Sequence, residues 1–368
     1  MPIFMDRHDV SEAVTAEIVA DLHQKDLKIQ HNFNCKGLTY WFDDKRKTAF
    51  CLVEAPNKEA IQKMHDHAHG SVPHRIIEVD GAVVESFLGR IEDPKKSQNS
   101  ALNIINDPAF RIILVAEIKQ LPLTKWHEKG EDNIFEHLQK YIINTADEHN
   151  GRIIKRKRKN YLLSFDSVTK AVLYALKVQR AFQEKEKISN SDVSLEIGVC
   201  AGIPVSEKEG IFEDTILMAE RLCRFVKEEF VITSKVADLY ESENQSFTVD
   251  SKYMRRLQPE EEKFLNQLMN CIEKEWNDPT FTAERFAKDM GYSRSHFYRK
   301  IFSLSGMSPN SFIRAYRLKK ALVLLNQKNG NISEIAYKIG FNSPAYFAKC
   351  FQKTFGILPS TYIKSNQF

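Results

Sequence analysis

No apolar run in this 368-residue chain approaches the length of a membrane span, and the charged residues, 28% of the total, interrupt every hydrophobic stretch. A spanning helix needs about 20 consecutive apolar residues, so membrane insertion is not the organising principle. The start, MPIFMDRHDV, lacks the basic-then-apolar pattern of a secretion signal; a cytoplasmic location with no membrane partner is expected. Six cysteines are scattered without a C-x-x-C pair, which removes the common zinc and redox spacings and any disulfide framework. They read as small buried apolar residues of a reducing compartment, with Cys51 the one to question. Acidic residues fail almost entirely at one end. From Gly291 onward there is a single acid, Glu334, against twelve lysines and arginines. That segment carries +11 in a chain of +4, so the residues before it sum to −7. Basic charge concentrated in this way suits phosphate.

With 42% hydrophobic residues the chain has room for two or three cores. Residues 93–108 and 241–260 are polar and poor in periodic apolar pattern, and read as linkers. Three domains follow, 1–92, 109–240 and 260–368, in a multidomain α+β chain with an all-α C-terminus.

The stretch from Thr282 to Pro359 repeats one plan twice. Phe286 to Tyr292 leads into a helix capped by Ser293; Ile335 to Phe341 leads through Asn342 to Ser343, with Pro344 in the first turn. Phe297 and Ile301 in the first copy, and Phe347 and Phe351 in the second, stand at core spacing. Between the copies a helix opened by Ser308-Pro309 and closed at Asn329-Gly330 carries Ala315, Leu318, Leu322 and Leu325 on one stripe. Its length, about 27 Å at 1.5 Å per residue, suits two recognition helices set on one DNA face, where successive major grooves lie about 34 Å apart. The expected outward residues are Arg294, Ser295, Tyr298 and Arg299 in the first unit and Pro344, Ala345, Ala348 and Lys349, beside Ser343, in the second. The segment GFNSPAYFAKCFQKTFGILP closely resembles the most diagnostic motif of the AraC/XylS family of bacterial transcription regulators. That resemblance implies a double helix-turn-helix with base contacts at these positions, and RNA polymerase as a partner of an activator.

In the first domain Pro2 to Met5, Leu38 to Phe42, Ala49 to Glu54 and Arg75 to Val79 read as strands, with helices over Ser11 to Lys25 and Asn57 to His69. The order βαββαβ is ferredoxin-like. Seven of the eleven histidines fall here. His65 and His69, at i and i+4, leave one helix face and can share an ion, whereas His67 points elsewhere. Open beside this is the reading that they are surface histidines near a helix end, interacting with its dipole. The stretch GLTYWFDDKRKTAFCLVEAPNKEAIQKMHDHAHG resembles a family of small bacterial ferredoxin-like proteins known for nickel binding. The resemblance implies a site in which Cys51 adds a thiolate to His65 and His69, with His31 a fourth candidate. Mixed imidazole and thiolate donors suit nickel, copper or zinc and not magnesium or calcium.

Residues 109 to 240 alternate strand and helix, as an α/β sandwich would. GRIIKRKRKNYLLSFDSVTKAVLYALKVQRAF, with LEIGVCAGIPV and EDTILMAERL, resembles the catalytic domain of class III adenylate and guanylate cyclases. In that register Glu117 and Lys159 replace the family's two metal-binding aspartates and Leu217 its ribose-orienting asparagine, while Arg221 matches the transition-state arginine. A lysine repels the ion, and positioning plus charge neutralisation is nearly all that phosphoryl-transfer enzymes supply. The resemblance therefore implies a cyclase-like domain without catalysis, of a kind that pairs with a copy of itself. The basic run Lys155 to Lys159 reads as a solvated turn, with a nucleic-acid patch as the alternative.

The expected protein is a DNA-binding transcription regulator whose N-terminal region senses a metal or other ligand, and not an enzyme. A nucleotide cyclase carrying a DNA-binding domain and a metal-buffering protein are the competing readings.

Overall fold

The computed structural model describes residues 1–95, 102–120, 131–157, 159–189, 193–244, 253–328 and 330–365. Contacts group the chain into two compact units, Met1–Val115 with Ala146–Ala171 and Cys200–Ala219, and Ala116–Thr145 with Val172–Val199 and Glu220–Phe368.

The first ninety residues comprise β1 (Ile3–Asp9), α1 (Ala16–Ile29), β2 (Lys36–Asp43), β3 (Thr48–Glu54), α2 (Lys58–His69), β4 (Arg75–Val79) and α3 (Gly81–Leu88). The sheet order is β2-β3-β1-β4, with β1 antiparallel to both β3 and β4, which is the ferredoxin-like arrangement expected. One sheet face packs Phe4, Tyr40, Phe42, Cys51 and Val53 against Val19 and Ala20 of α1 and Ile61 and Met64 of α2. Two boundaries differ from the expected ones. β1 continues to Asp9, because Phe4, Asp6 and His8 alternate onto one buried face although two of the three are polar. α1 starts only after the Thr15 cap and runs on to Ile29, which brings Asp26 into its last turn, buried. The stretch read as a linker, 93–108, is tied down where it is described. Ile105 lies in the N-terminal core, and the Tyr40 hydroxyl donates to Asn103 O (2.8 Å) and accepts from Ile105 N–H (2.9 Å).

The middle region contains β5 (Arg111–Gln120), α4 (Glu131–Glu148), β6 (Arg152–Arg156), β7 (Asn160–Phe165), α5 (Val168–Ser189), β8 (Val193–Gly202), α6 (Glu213–Phe225), β9 (Phe230–Ile232), α7 (Ser234–Glu243) and β10 (Arg255–Arg256). Its six strands follow the order β10-β9-β8-β5-β7-β6. Of the expected second linker, 241–260, residues 245–252 lie outside the described residues. Its flanks are structured: α7 reaches Glu243, and β10 pairs parallel with β9.

The C-terminal region is helical: α8 (Pro259–Glu275), α9 (Ala283–Asp289), α10 (Arg294–Ser305), α11 (Pro309–Asn326), α12 (Ile332–Lys338), α13 (Pro344–Phe355) and α14 (Pro359–Ser365). Capping residues start the helices where the repeat predicts, Ser293, Ser308 ahead of Pro309, and Ser343 ahead of Pro344, and the structure adds Asn331 with Glu334 at the start of α12. Each such cap contributes about 1 kcal/mol. Between paired helices stand Gly291 (φ +73°) and Gly340 (φ +82°), in the left-handed region that glycine enters without strain. At Gly340 an added Cβ would also meet Arg317 and the Asn277 carbonyl at 3.0 Å. The connector α11 has 18 residues. Of its expected stripe, Leu318 and Leu325 are buried while Ala315 and Leu322 are half-buried, because the core face turns toward Phe312, Ile313 and Tyr316.

Candidate metal centre and nucleic-acid interface

On β1, Asp6 lies directly across from Cys51 of β3, so both side chains leave the same sheet face. α2 lays His65 over them and α1 contributes Asp26. His65 is 1% exposed. Its Nε2 donates to Asp6 Oδ2 (3.0 Å) and its Nδ1 to Asp26 Oδ1 (3.1 Å). His69 Nε2 stands 3.2 Å from the same Asp26 oxygen and 3.3 Å from His65 Nδ1. Burial alone would discharge the imidazole, but hydrogen bonds to Asp26 and Asp6 more than reverse this and lift the His65 pKa to about 10. Burial likewise raises Asp6 and Asp26, and their histidine partners outweigh it, holding both carboxyls below the usual range.

Asp26 Oδ1, His65 Nδ1 and His69 Nε2 therefore form a near-equilateral triangle with edges of 3.1, 3.2 and 3.3 Å. Two donors each about 2.0–2.1 Å from one tetrahedral ion stand about 3.3–3.4 Å apart, so the triangle has the dimensions of one face of such a site. Imidazole with carboxylate suits nickel, zinc or copper. Asp6, on the far nitrogen of His65, is where a carboxylate fixes the ring orientation of a ligating histidine. Asp6, His8 and Cys51 form an adjoining group, in which His8 Nε2 is buried without a hydrogen bond, 3.3 Å from Asp6. Burial, then the charges of Asp6 and Asp26, push the Cys51 thiol well up.

His65 and His69 thus come together, and the alternative of surface histidines at a helix end does not describe a ring enclosed by two carboxylates. Cys51 lies beside Asp6 and His8 instead of with that pair. His31 is exposed in a 3-10 turn (Gln30–Phe33) and belongs to neither group. His67 bonds the Lys63 carbonyl at 2.9 Å. Sequence reasoning missed Asp6, His8 and Asp26. No signal was available for the first two, because residues 6–9 are an unbroken polar run without the apolar alternation that marks a strand.

On α10 the core face is Phe297, Ile301, Leu304 and Ser305, and Arg294, Ser295, Tyr298 and Arg299 are exposed. Arg294 pairs with Glu284 at 3.2 Å across open solvent, a weak tie of about 0–1 kcal/mol. On α13, Ala345 and Lys349 are exposed, and Pro344 and Ala348 half-exposed. Ser343 accepts from Tyr346 N–H (3.3 Å) as the helix cap. Tyr346, 51% exposed, is an outward residue the sequence pattern omitted. The basic count overstates what faces outward. Arg317 donates to the carbonyls of Trp276 (2.7 Å) and Asp278 (2.6 Å), Lys319 donates to the Arg224 carbonyl (3.1 Å) and burial lowers its pKa, and Lys300 lies 5.1 Å over the Phe264 ring.

In the middle region Glu117 accepts from Arg224 Nε at 3.0 Å. Arg221, 3% exposed, donates to Asn266 (2.6 Å) and Asn270 (2.7 Å) on α8 and stands 3.3 Å from Glu273. Leu217 is half-buried on α6. Lys159 lies in a tight turn where Lys157 and Asn160 exchange backbone hydrogen bonds; Arg158, within the same basic run, lies outside the described residues.

Comparison with known proteins finds two matches along the chain. Residues 4–79 match the family described as nickel responsive protein SCO4226-like, and residues 286–365 a helix-turn-helix domain family. The chain is 39% identical over 102 residues to histidine kinase P4 of Formosa agariphila, covering 28% of this chain and 7% of that protein. It is 32% identical over 102 residues to the uncharacterised HTH-type transcriptional regulator YdeC of Bacillus subtilis, covering 28% and 35%. The crystal structure of SCO4226 from Streptomyces coelicolor A3(2) is 34% identical, covers 21% of this chain and 94% of that one, and gives a TM-score of 0.20. The chain spans no more than 35% of either curated relative. Both expected end domains, the AraC-type and the nickel-responsive one, are found.

Proposed function

We propose that this chain, which carries an SCO4226-like domain at residues 4–79 and an AraC-type helix-turn-helix domain at 286–365, is a sequence-specific transcription regulator whose N-terminal domain senses a transition metal. The observation that carries the first half is the paired geometry of α10 and α13, two capped helices joined through an 18-residue connector, each presenting exposed polar or basic side chains opposite a buried core face. The second half rests on the donor triangle of Asp26, His65 and His69. Those three residues would hold nickel, zinc or copper, with Asp6 orienting His65; the ion would supply charge to a pocket that otherwise keeps a proton on His65. Cys51 and His8 sit one side chain further away, as a softer neighbouring donor pair.

The middle region serves as a non-catalytic, cyclase-like element in this proposal. Support comes from Arg221 and Glu117, both committed to side chains of their own unit. The full chain should form no cyclic nucleotide from ATP or GTP with manganese, and measurable turnover would replace the proposal with an enzymatic one. A cytoplasmic setting, pairing with a second copy and contact with RNA polymerase belong to the same reading. Among the described residues no helix is long and apolar enough to cross a membrane.

A ligand shifts DNA affinity only if it binds the DNA-bound and free states differently. Titration of the full chain into selected duplexes, with nickel, zinc or copper and then with chelator, should reveal a change of about 5–150-fold. Metal bound at one per chain with unaltered DNA affinity would instead favour a metal-buffering protein.

A further inference from the structure

Phe302 has no place in an ordinary polar recognition surface. It is 51% exposed on α10, one helical turn beyond Tyr298, which is 46% exposed. The two rings lie nearly parallel, at an interplanar angle of 8° and a centroid separation of 6.0 Å. Ser295, Tyr298, Arg299 and Phe302 occupy i, i+3, i+4 and i+7, one continuous face opposite Phe297, Ile301 and Leu304. Homeodomain recognition helices place their base-contacting side chains at this same spacing. α10 contains no acidic residue, and with Arg294 paired to Glu284 the charge beside the aromatic pair is that of Arg299.

We propose that Phe302, held flat by Tyr298, reads a thymine methyl group in the major groove beside a guanine taken by Arg299. The inference rests on the DNA-binding reading above. A phenyl ring offers no hydrogen bond, and the one apolar feature on a base edge in the major groove is the thymine C5-methyl. Arg299 can take both acceptors of a guanine. Three residues separate it from Phe302, about 4.5 Å along the helix axis, and base pairs rise about 3.4 Å each. The thymine therefore lies one or two base pairs from the guanine. Arg299 beside the ring disfavours a second copy of this helix as the occupant, since two such faces repel.

The test uses the full chain and a pool of random-sequence duplexes. Wild type should enrich a site with a guanine and a thymine at that separation. Deoxyuridine in place of this thymine removes only the methyl group and should weaken wild type about 3- to 5-fold, the worth of burying one such group. Phe302→Ala should bind the thymine and deoxyuridine duplexes equally, and Phe302→Leu should keep part of the preference. Equal thymine dependence in wild type and Phe302→Ala overturns the inference while leaving DNA reading intact; absence of any enriched sequence in wild type overturns the DNA reading itself. Loss of self-association in Phe302→Ala, with unchanged site preference, would assign the aromatic pair to a protein contact and also reject the proposal.

Discussion

His65 lies enclosed between two carboxylates, whereas Arg299 on α10 stands in open solvent. Both are cationic groups of the kind that meet a charged partner, yet their surroundings give them opposite duties. In the N-terminal domain the partner charges are internal, so removing one of them strands the others in a low-dielectric interior. On α10 Arg299 is exposed, and on the proposed function its loss should be felt only when DNA is present. The difference separates stability from recognition, residue by residue.

The largest effect that tests this contrast is that of His65→Ala. It leaves Asp6 and Asp26 buried without their shared cation and should destabilise the N-terminal domain by about 3–5 kcal/mol, read as a lower melting transition of the full chain. An unchanged transition would mean that the cluster is wetter than its burial implies. The pH dependence is next. His65 is raised from about 6.5 unfolded to about 10 folded, so its contribution is fully present below about pH 6.5 and is lost as pH rises through 10. The depressed carboxyls of Asp6 and Asp26 act in the opposite sense, contributing above their unfolded values and losing that contribution in acid. The metal-free protein should therefore lose several kcal/mol between pH 6.5 and 10. Metal affinity should rise across that window, because binding displaces the proton of His65. Parallel pH trends of melting temperature and metal affinity would contradict the assignment of both properties to one imidazole.

Asp6→Asn sharpens the comparison from within the cluster. It removes the carboxylate behind His65 while keeping the shape, and calorimetry should show metal affinity falling about 10–100-fold. Arg299→Ala carries the contrast to the other region, with about 1–3 kcal/mol lost on a selected duplex, relaxed preference at one base pair and no shift in melting. A Tm change as large as that of His65→Ala would erase the distinction. Smallest is Lys349→Ala on α13, expected to weaken all duplexes about equally and to lower the salt slope by about 1; a sequence-dependent loss would make the second helix a reader of bases as well.

How much of each region could be read in advance follows from the same contrast. The helix-turn-helix pair was legible because its signals are local. Ser293, Ser308 and Ser343 cap by bonding amides three residues ahead, Gly291 and Gly340 take a conformation other residues avoid, and the core positions repeat at helical spacing. Tyr346 and Phe302 escaped because exposure depends on how a helix is rotated against its neighbours. The His65 and His69 pair was legible for the same local reason, a shared face at i and i+4.

The rest of the N-terminal cluster was not. Asp6 and His8 extend a strand whose polar half looks like a loop until β3 and β4 pair with it, and Asp26 lies one residue past the point where α1 was expected to stop. Cys51 and His31 fall outside the triangle, since the resemblance that suggested them gave no measure of which sheet position or turn each would occupy. Sequence alone determined the helices, their caps and the two-copy plan, because those depend on residues three or four apart. Only the tertiary structure decided that Asp6, Asp26, His65 and His69, from three separate elements, meet at hydrogen-bond distance, because strand register and helix docking are fixed by the packing of the whole core.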